Sequence, residues 1–255
     1  MSGVTLTDQF GRSIEYLRIS VTDRCNFRCT YCMPLAGLPW LPKAEILSYE
    51  EIVAIVAQLA PLGLRRIRLT GGEPTIRPQL VSLVQQLRAV PGVEDISLST
   101  NGVRLPELAQ PLRDAGLDRI NMSADSLRAD RIVAIARKSL AFDPVVSPIK
   151  INVVVLRGVN DDEVGDFARL TRDHPWHVRF IELMPVGDMR ELTWEHVVPT
   201  AEILDRLSSV DVLVPDDGPS RGNGPAAYYR YAGAPGTVGV ITPMTHTYCG
   251  TCNRV

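Results

Sequence analysis

Leu17, Ile19 and Val21 alternate with Arg18 and Ser20, and this period of two predicts a half-buried strand over 17–21. Comparable short runs at 66–70, 95–100, 119–123, 149–156 and 178–183 predict five more strands. Between them lie stretches with a helical period, at 78–89, 106–115, 129–140, 161–173 and 200–209. Another helix follows Ser48, where Glu51 three residues on completes a capping-box signature ahead of IVAIVAQLA. Strand–helix alternation of this kind predicts parallel βαβ units. Six such strands suit either a partial (β/α) barrel or an open doubly wound sheet. Further on, PDDGPSRGNGP (215–225) reads as a surface loop, and AAYYRYAG and TVGVIT as a hairpin or two strands.

The polar members of the strands follow a pattern of their own. Arg18 and Ser20 share one face of the first strand; Arg66, Arg68 and Thr70 share one face of the second. Ser97 and Ser99, Asn121 and Ser123, and Lys150 and Asn152 repeat the arrangement in the next three. If the apolar set covers the helices, the polar set points inward, where a closed barrel ordinarily places branched apolar side chains. Buried Arg and Lys are costly without a partner, so such an interior calls for an anionic, hydrophilic ligand.

Composition narrows the class. The 255 residues are 45% hydrophobic and 22% charged with a formal net charge of −2, which offers no general attraction to nucleic acid or anionic membrane. The N-terminal MSGVTLTDQFGR lacks the apolar core of a secretory signal. No apolar run approaches the roughly 18 residues of a spanning helix. A cytoplasmic location is expected by default.

All five cysteines are clustered, as Cys25, Cys29 and Cys32 and as Cys249 and Cys252. That spacing suits metal or redox chemistry better than a disulfide framework. The first trio follows directly on the first strand, at what would be the C-terminal mouth of a barrel. Structural zinc would want a fourth protein ligand, and His246, the one histidine near a cysteine in sequence, belongs with the other pair. A cubane iron–sulfur cluster on three thiolates instead leaves one iron open to a non-protein ligand. In GGEP (71–74), two glycines after a strand permit close backbone approach to a ligand.

The C-x3-C-x-aromatic-C spacing, with Tyr31 as the aromatic, resembles the signature of the radical S-adenosylmethionine (SAM) superfamily, and GGEP resembles its second motif. The likeness extends, in order, through LRISVTDRCNFRCTYCMP, IRLTGGEPTIR, LSTNG, RINMSADSL, IKINVVVLRGVND, RFIELMPVG and CGTCNRV. Together these blocks resemble the GTP 3′,8-cyclase (molybdenum cofactor biosynthesis protein A) family. The resemblance implies an α/β fold, a partial (β/α)6 TIM-like barrel over 1–212, followed at 213–255 by an incomplete C-terminal segment. It implies that Cys25, Cys29 and Cys32 hold a 4Fe–4S cluster and that Tyr31, Gly72, Ser123 and Met184 contact SAM. Arg18, Arg68, Ser99, Lys150 and Arg254 would bind GTP, and Cys249 and Cys252 a second cluster. The implied reaction cyclises GTP to 3′,8-cyclo-GTP, the first step toward molybdopterin. Implied partners are GTP, a reductant protein and the downstream enzyme cyclic pyranopterin monophosphate synthase; a homodimer is compatible with it.

Two departures from the family stand out. The chain stops at Val255, without the third cysteine and glycine pair of the family's tail. Between Asp125 and Lys150 it carries only a short connection, still feasible for a crossover of about a dozen residues. Competing readings are a different radical SAM enzyme, such as a peptide maturase, and a truncated paralogue that binds SAM, GTP or a cluster without turnover.

Overall fold

In the computed structural model, which describes residues 5–137, 149–184, 192–216 and 225–246, Ser48 opens the first helix as its sequence predicts. Its hydroxyl accepts the Glu51 amide at 3.1 Å, and the Glu51 carboxylate accepts the Ser48 amide at 2.7 Å. Helix α1 (Tyr49–Leu59) then buries Ile52 and Val56. The described residues form two compact units, 5–26 with 39–120, and 27–38 with those between 121 and 246.

In the first unit, β1 (Tyr16–Ser20), β2 (Arg66–Thr70) and β3 (Asp95–Thr100) pair in parallel. Their register sets Leu17 beside Ile67 and Ile67 beside Ile96, with Leu69 beside Leu98. Ile67, Leu69, Ile96 and Leu98 are fully buried, as are Leu83, Val84 and Leu87 of α2 (Leu80–Arg88) and Leu112 of α3 (Leu105–Asp114). Each such side chain contributes roughly 1.5–3 kcal/mol of transfer free energy, so this seam is the unit's core. The other parity places Arg18 beside Arg68 and Arg68 beside Ser97, giving the polar row that the sequence alternation predicts.

Strand β4 (Arg119–Ser123) carries the chain from the first unit into the second. There α4 (Ala129–Ala136) is short and ends at Arg137 in a left-handed conformation, φ 55°. The remainder of the expected 129–140 helix lies outside the described residues. Strand β5 (Ile149–Val155) pairs in parallel with β6 (His177–Glu182), across α5 (Val164–Asp173). After α6 (Thr200–Ser208), strands β7 (Leu213–Pro215), β8 (Ala227–Tyr231) and β9 (Thr237–Ile241) complete the order β5-β6-β9-β8-β7. Pairing of β6 with β9 is parallel; β9–β8 and β8–β7 are antiparallel, so the expected hairpin is present. Ile151, Val153, Val178, Phe180, Val238 and Val240 form the apolar parity, buried with Phe167 of α5 and Ile203 and Leu207 of α6. None of the described helices is long and apolar enough to cross a membrane.

Candidate active site

The segment leaving β1 stays beside the extension of β2. Val21 donates to the Thr70 carbonyl at 2.8 Å, Gly72 to Thr22 at 2.7 Å and Glu73 to Arg24 at 2.8 Å. Side chains at 71 and 72 would destroy this ladder. A Cβ on Gly71, which sits at φ 150°, would lie 2.3 Å from the Thr22 carbonyl oxygen, and one on Gly72 would lie 2.2 Å from that of Arg24. The sequence places a ligand against these glycines; the structure first places there the chain's own backbone, one to three residues before Cys25.

Glu73 fixes the next turn. It is buried, and its carboxylate accepts from the Thr75 amide (3.0 Å) and hydroxyl (2.5 Å), the Thr100 hydroxyl (2.7 Å) and the Asn101 amide (2.7 Å). Asn101 in turn donates to the Asn26 side chain at 2.7 Å, beside Cys25. The GGEP, LSTNG and DRCN blocks are thus joined by hydrogen bonds within the first unit.

Cys29 and Cys32 belong to the second unit, on one turn. The Cys32 and Met33 amides donate to the Cys29 carbonyl at 2.9 and 3.0 Å. The last turn of α4 holds this turn from its N-terminal side. Arg28 donates to the Ala136 carbonyl (3.1 Å) and Thr30 to that of Ile135 (3.0 Å), two acceptors a helix end leaves without intrahelical partners. Tyr31 donates to Asp125 at 2.5 Å. Burial pushes the Asp125 carboxyl up to about 6, against the lowering effect of the Tyr31 hydroxyl and the Val154 amide. Burial, then the Asp125 charge, raises the Tyr31 phenol well above its ordinary value and the Cys32 thiol above its own.

None of Cys25, Cys29 and Cys32 is in a disulfide, and among the described residues no three His, Cys, Asp or Glu side chains are gathered into a ready metal-binding set. The donor set nevertheless fits a thiolate-bound cluster: three thiols at short spacing, soft donors suited to iron–sulfur chemistry. Burial, then the Asp125 charge, hold the Cys32 thiol protonated in the metal-free chain, so a metal binding there would have to displace that proton.

Two polar rows, one in each unit, carry further residues that the sequence singled out. In the first unit Arg68 donates to Ser97 at 3.3 Å and its guanidinium stands 5.4 Å from the Tyr16 ring centre; Arg18 is exposed beside it, and Ser99 is half-buried on β3. In the second unit the register sets Lys150 beside His177 and Asn152 beside Arg179. Lys150 and Arg179 are each 4% exposed. Arg179 donates to Asn121 at 2.7 Å, and His177 shares a 2.7 Å hydrogen bond with Thr237. The Asn152 side-chain oxygen is buried with no hydrogen-bond partner among the described residues. Ser123 ends β4 exposed, and Met184 lies just past β6, 44% exposed. Cys249, Cys252 and Arg254 lie outside the described residues.

Sequence reasoning missed Asn26, Glu73, Asn101, Asp125, His177 and Arg179. For His177 and Arg179 a signal existed: in HVRFIE the period of two puts both on the face opposite Val178 and Phe180. For Asp125 none existed, because its partner Tyr31 lies 94 residues away; Glu73 has a local pair of bonds to Thr75, but its Thr100 and Asn101 donors come from another strand end.

Comparison with known proteins defines the class first. Residues 19–171 match the Radical SAM superfamily model, and 176–255 match Molybdenum Cofactor Synthesis C. Streptococcus suis SuiB bound to S-adenosylmethionine aligns over 76% of this chain and 46% of its own, with a TM-score of 0.57 at 14% identity. HydG, a maturase of the [FeFe]-hydrogenase, aligns over 79% of this chain and 50% of its own, also with a TM-score of 0.57, at 13% identity. The fold is the partial barrel of the radical SAM type, and the superfamily implies a 4Fe–4S cluster and SAM.

Closer relatives give the family. A GTP 3′,8-cyclase of Heliobacterium modesticaldum is 46% identical over 98% of this chain and 80% of its own length. That of Pelotomaculum thermopropionicum is 48% identical over the same shares. The chain belongs to the GTP 3′,8-cyclase family and is an enzyme of the radical SAM type.

Proposed function

We infer that this enzyme converts GTP to 3′,8-cyclo-GTP, forming a bond between C3′ of the ribose and C8 of guanine as the first step of molybdopterin synthesis. The observation that carries this reading is the pair of in-register polar rows, Arg18–Arg68–Ser97 and Lys150–His177 with Asn152–Arg179, in a chain of this family. A row of cationic and hydrogen-bonding side chains along one strand face is the electrostatic counterpart of a triphosphate.

Cys25, Cys29 and Cys32 would hold the first cluster. When bound, that cluster and SAM supply the carbon-centred radical that removes the ribose hydrogen atom. The chain's own task is to bind and orient. Tyr31, Gly72, Ser123 and Met184 hold SAM; Arg18, Arg68, Ser99, Lys150 and Arg254 hold GTP. Keeping the ribose carbon within reach is worth several kcal/mol, on the order of the proximity effects seen in intramolecular reactions. Cys249 and Cys252 would bind a second cluster on the purine side. A reductant protein supplies the electron, and the product passes to the next enzyme of the pathway.

The test is anaerobic reconstitution with iron and sulfide, then dithionite, SAM and GTP. The expected result is 5′-deoxyadenosine together with cyclised nucleotide. Deoxyadenosine without cyclised product would refute GTP as the substrate, and iron uptake with neither product would favour a binding-only chain.

A further inference from the structure

Between the two cysteines of the Cys29–Cys32 turn, Tyr31 carries the side chain that ties the turn to the rest of its unit. Its ring packs on buried Leu156, Leu183 and Leu192, flanked by Val154, Val159 and Val197. Its hydroxyl donates to one Asp125 carboxylate oxygen at 2.5 Å, while the other accepts the Val154 amide at 2.9 Å. Asp125 is itself fixed from behind. Asn160 donates to the Asp125 carbonyl (2.6 Å) and the Val154 carbonyl (2.9 Å), and accepts the Leu156 amide (2.7 Å). The ends of β4 and β5 are thereby locked around one carboxylate whose two oxygens are both engaged. Withdrawing the Tyr31 hydroxyl would strand that carboxylate in an apolar setting, which is costly.

The geometry points to Asp125 as a positioning residue that, through the Tyr31 hydroxyl, fixes the turn carrying Cys29 and Cys32 and so sets their thiols for cluster and SAM. This rests on the reading that those thiols are cluster ligands. Other anchors of the turn include backbone bonds to the end of α4 from Arg28, just before it, and from Thr30, within it. Tyr31 adds a side-chain anchor.

The test begins on the metal-free full chain, by hydrogen exchange. Tyr31→Phe and Asp125→Ala are expected to speed exchange of amides 28–33 by about tenfold, with α5 amides unchanged. Asp125→Asn is expected to stay within about twofold of the natural chain, because its amide can accept from Val154 and donate to the tyrosine oxygen. The second readout is electron paramagnetic resonance of the reconstituted, reduced chains titrated with SAM. Tyr31→Phe should need about tenfold more SAM for the same spectral change, a loss that one buried hydrogen bond explains. Unchanged exchange in Tyr31→Phe, or an unchanged SAM titration, would overturn the assignment. Failure of the natural chain to take up iron would refute the cluster reading, while the exchange result would still decide whether Asp125 holds the turn.

Discussion

The two sides of the cysteine segment are secured by different chemistry. Up to Asn26, in the first unit, the anchor is backbone laid on backbone, possible because residues 71 and 72 have no side chains. From Phe27, in the second unit, backbone bonds from Arg28 and Thr30 to the end of α4 are joined by a side-chain anchor, a phenol seated on a carboxylate. A backbone contact with no room for a methyl group has no graded substitute, whereas a side-chain hydrogen bond can be kept by an isostere. The first anchor should therefore fail abruptly and the second by degrees.

Gly72→Ala breaks this contrast most severely. Its Cβ would fall 2.2 Å from the Arg24 carbonyl oxygen and 2.7 Å from that of Asp23, so the segment before Cys25 must move. We expect most iron uptake to be lost and stability to fall by about 3 kcal/mol or more, read from iron per chain and a urea transition. Natural iron content in this variant would show that the ladder does not set the cysteine segment.

Glu73→Ala comes next, at about 2–4 kcal/mol. It leaves the buried Thr100 hydroxyl and Asn101 amide without their acceptor and slackens the link through Asn101 to Asn26. Urea unfolding measures it; a change below about 0.5 kcal/mol would contradict the clamp, since that is the scale of an ordinary surface substitution.

Arg68→Ala is expected to weaken GTP binding by about 10–100-fold, as for a lost charge-assisted contact, with SAM binding unchanged. Lys150→Ala should do likewise from the second unit. Equilibrium binding checks both, and unchanged GTP affinity in both would sink the reading of the two rows.

The smallest effect is at Glu182, which ends β6 1% exposed. Burial alone would raise its pKa, but bonds from the Thr200 and Thr245 amides and hydroxyls and the Met244 amide outweigh it and hold it below the ordinary 4.5. With the folded pKa lowered, the carboxylate's contribution is complete above pH 4.5 and declines as pH falls through the lowered value. Glu182→Gln, a poorer acceptor, should cost about 1–2 kcal/mol at pH 7. The difference in thermal midpoint should narrow below pH 4.5; a gap independent of pH would contradict this.

The contrast also explains what the sequence could disclose. Strands β1 to β6 were legible because each has to bury one face, which writes a period of two into the residues. The capping box of α1 was legible because both its bonds are local. Strand β7, three residues long, has too few positions for any period to register. The expected helix at 161–173 starts with a tight turn at Asp161–Glu163 before α5, a boundary that acidic residues alone do not resolve. The glycines announced a close approach without naming what approaches. Asp125 stayed silent because its donors, Tyr31 and Val154, are brought to it from distant segments, and Glu73 because half of its donors, Thr100 and Asn101, are.

The central claim is that Cys25, Cys29 and Cys32 hold a cubane with one iron left for SAM. It is tested most directly by electron paramagnetic resonance of the anaerobically reconstituted, dithionite-reduced chain carrying Cys249→Ala and Cys252→Ala, before and after SAM. The account predicts about four irons per chain and a reduced 4Fe–4S signal that shifts on adding SAM. Zinc at the three thiols, or a cluster signal indifferent to SAM, would contradict it.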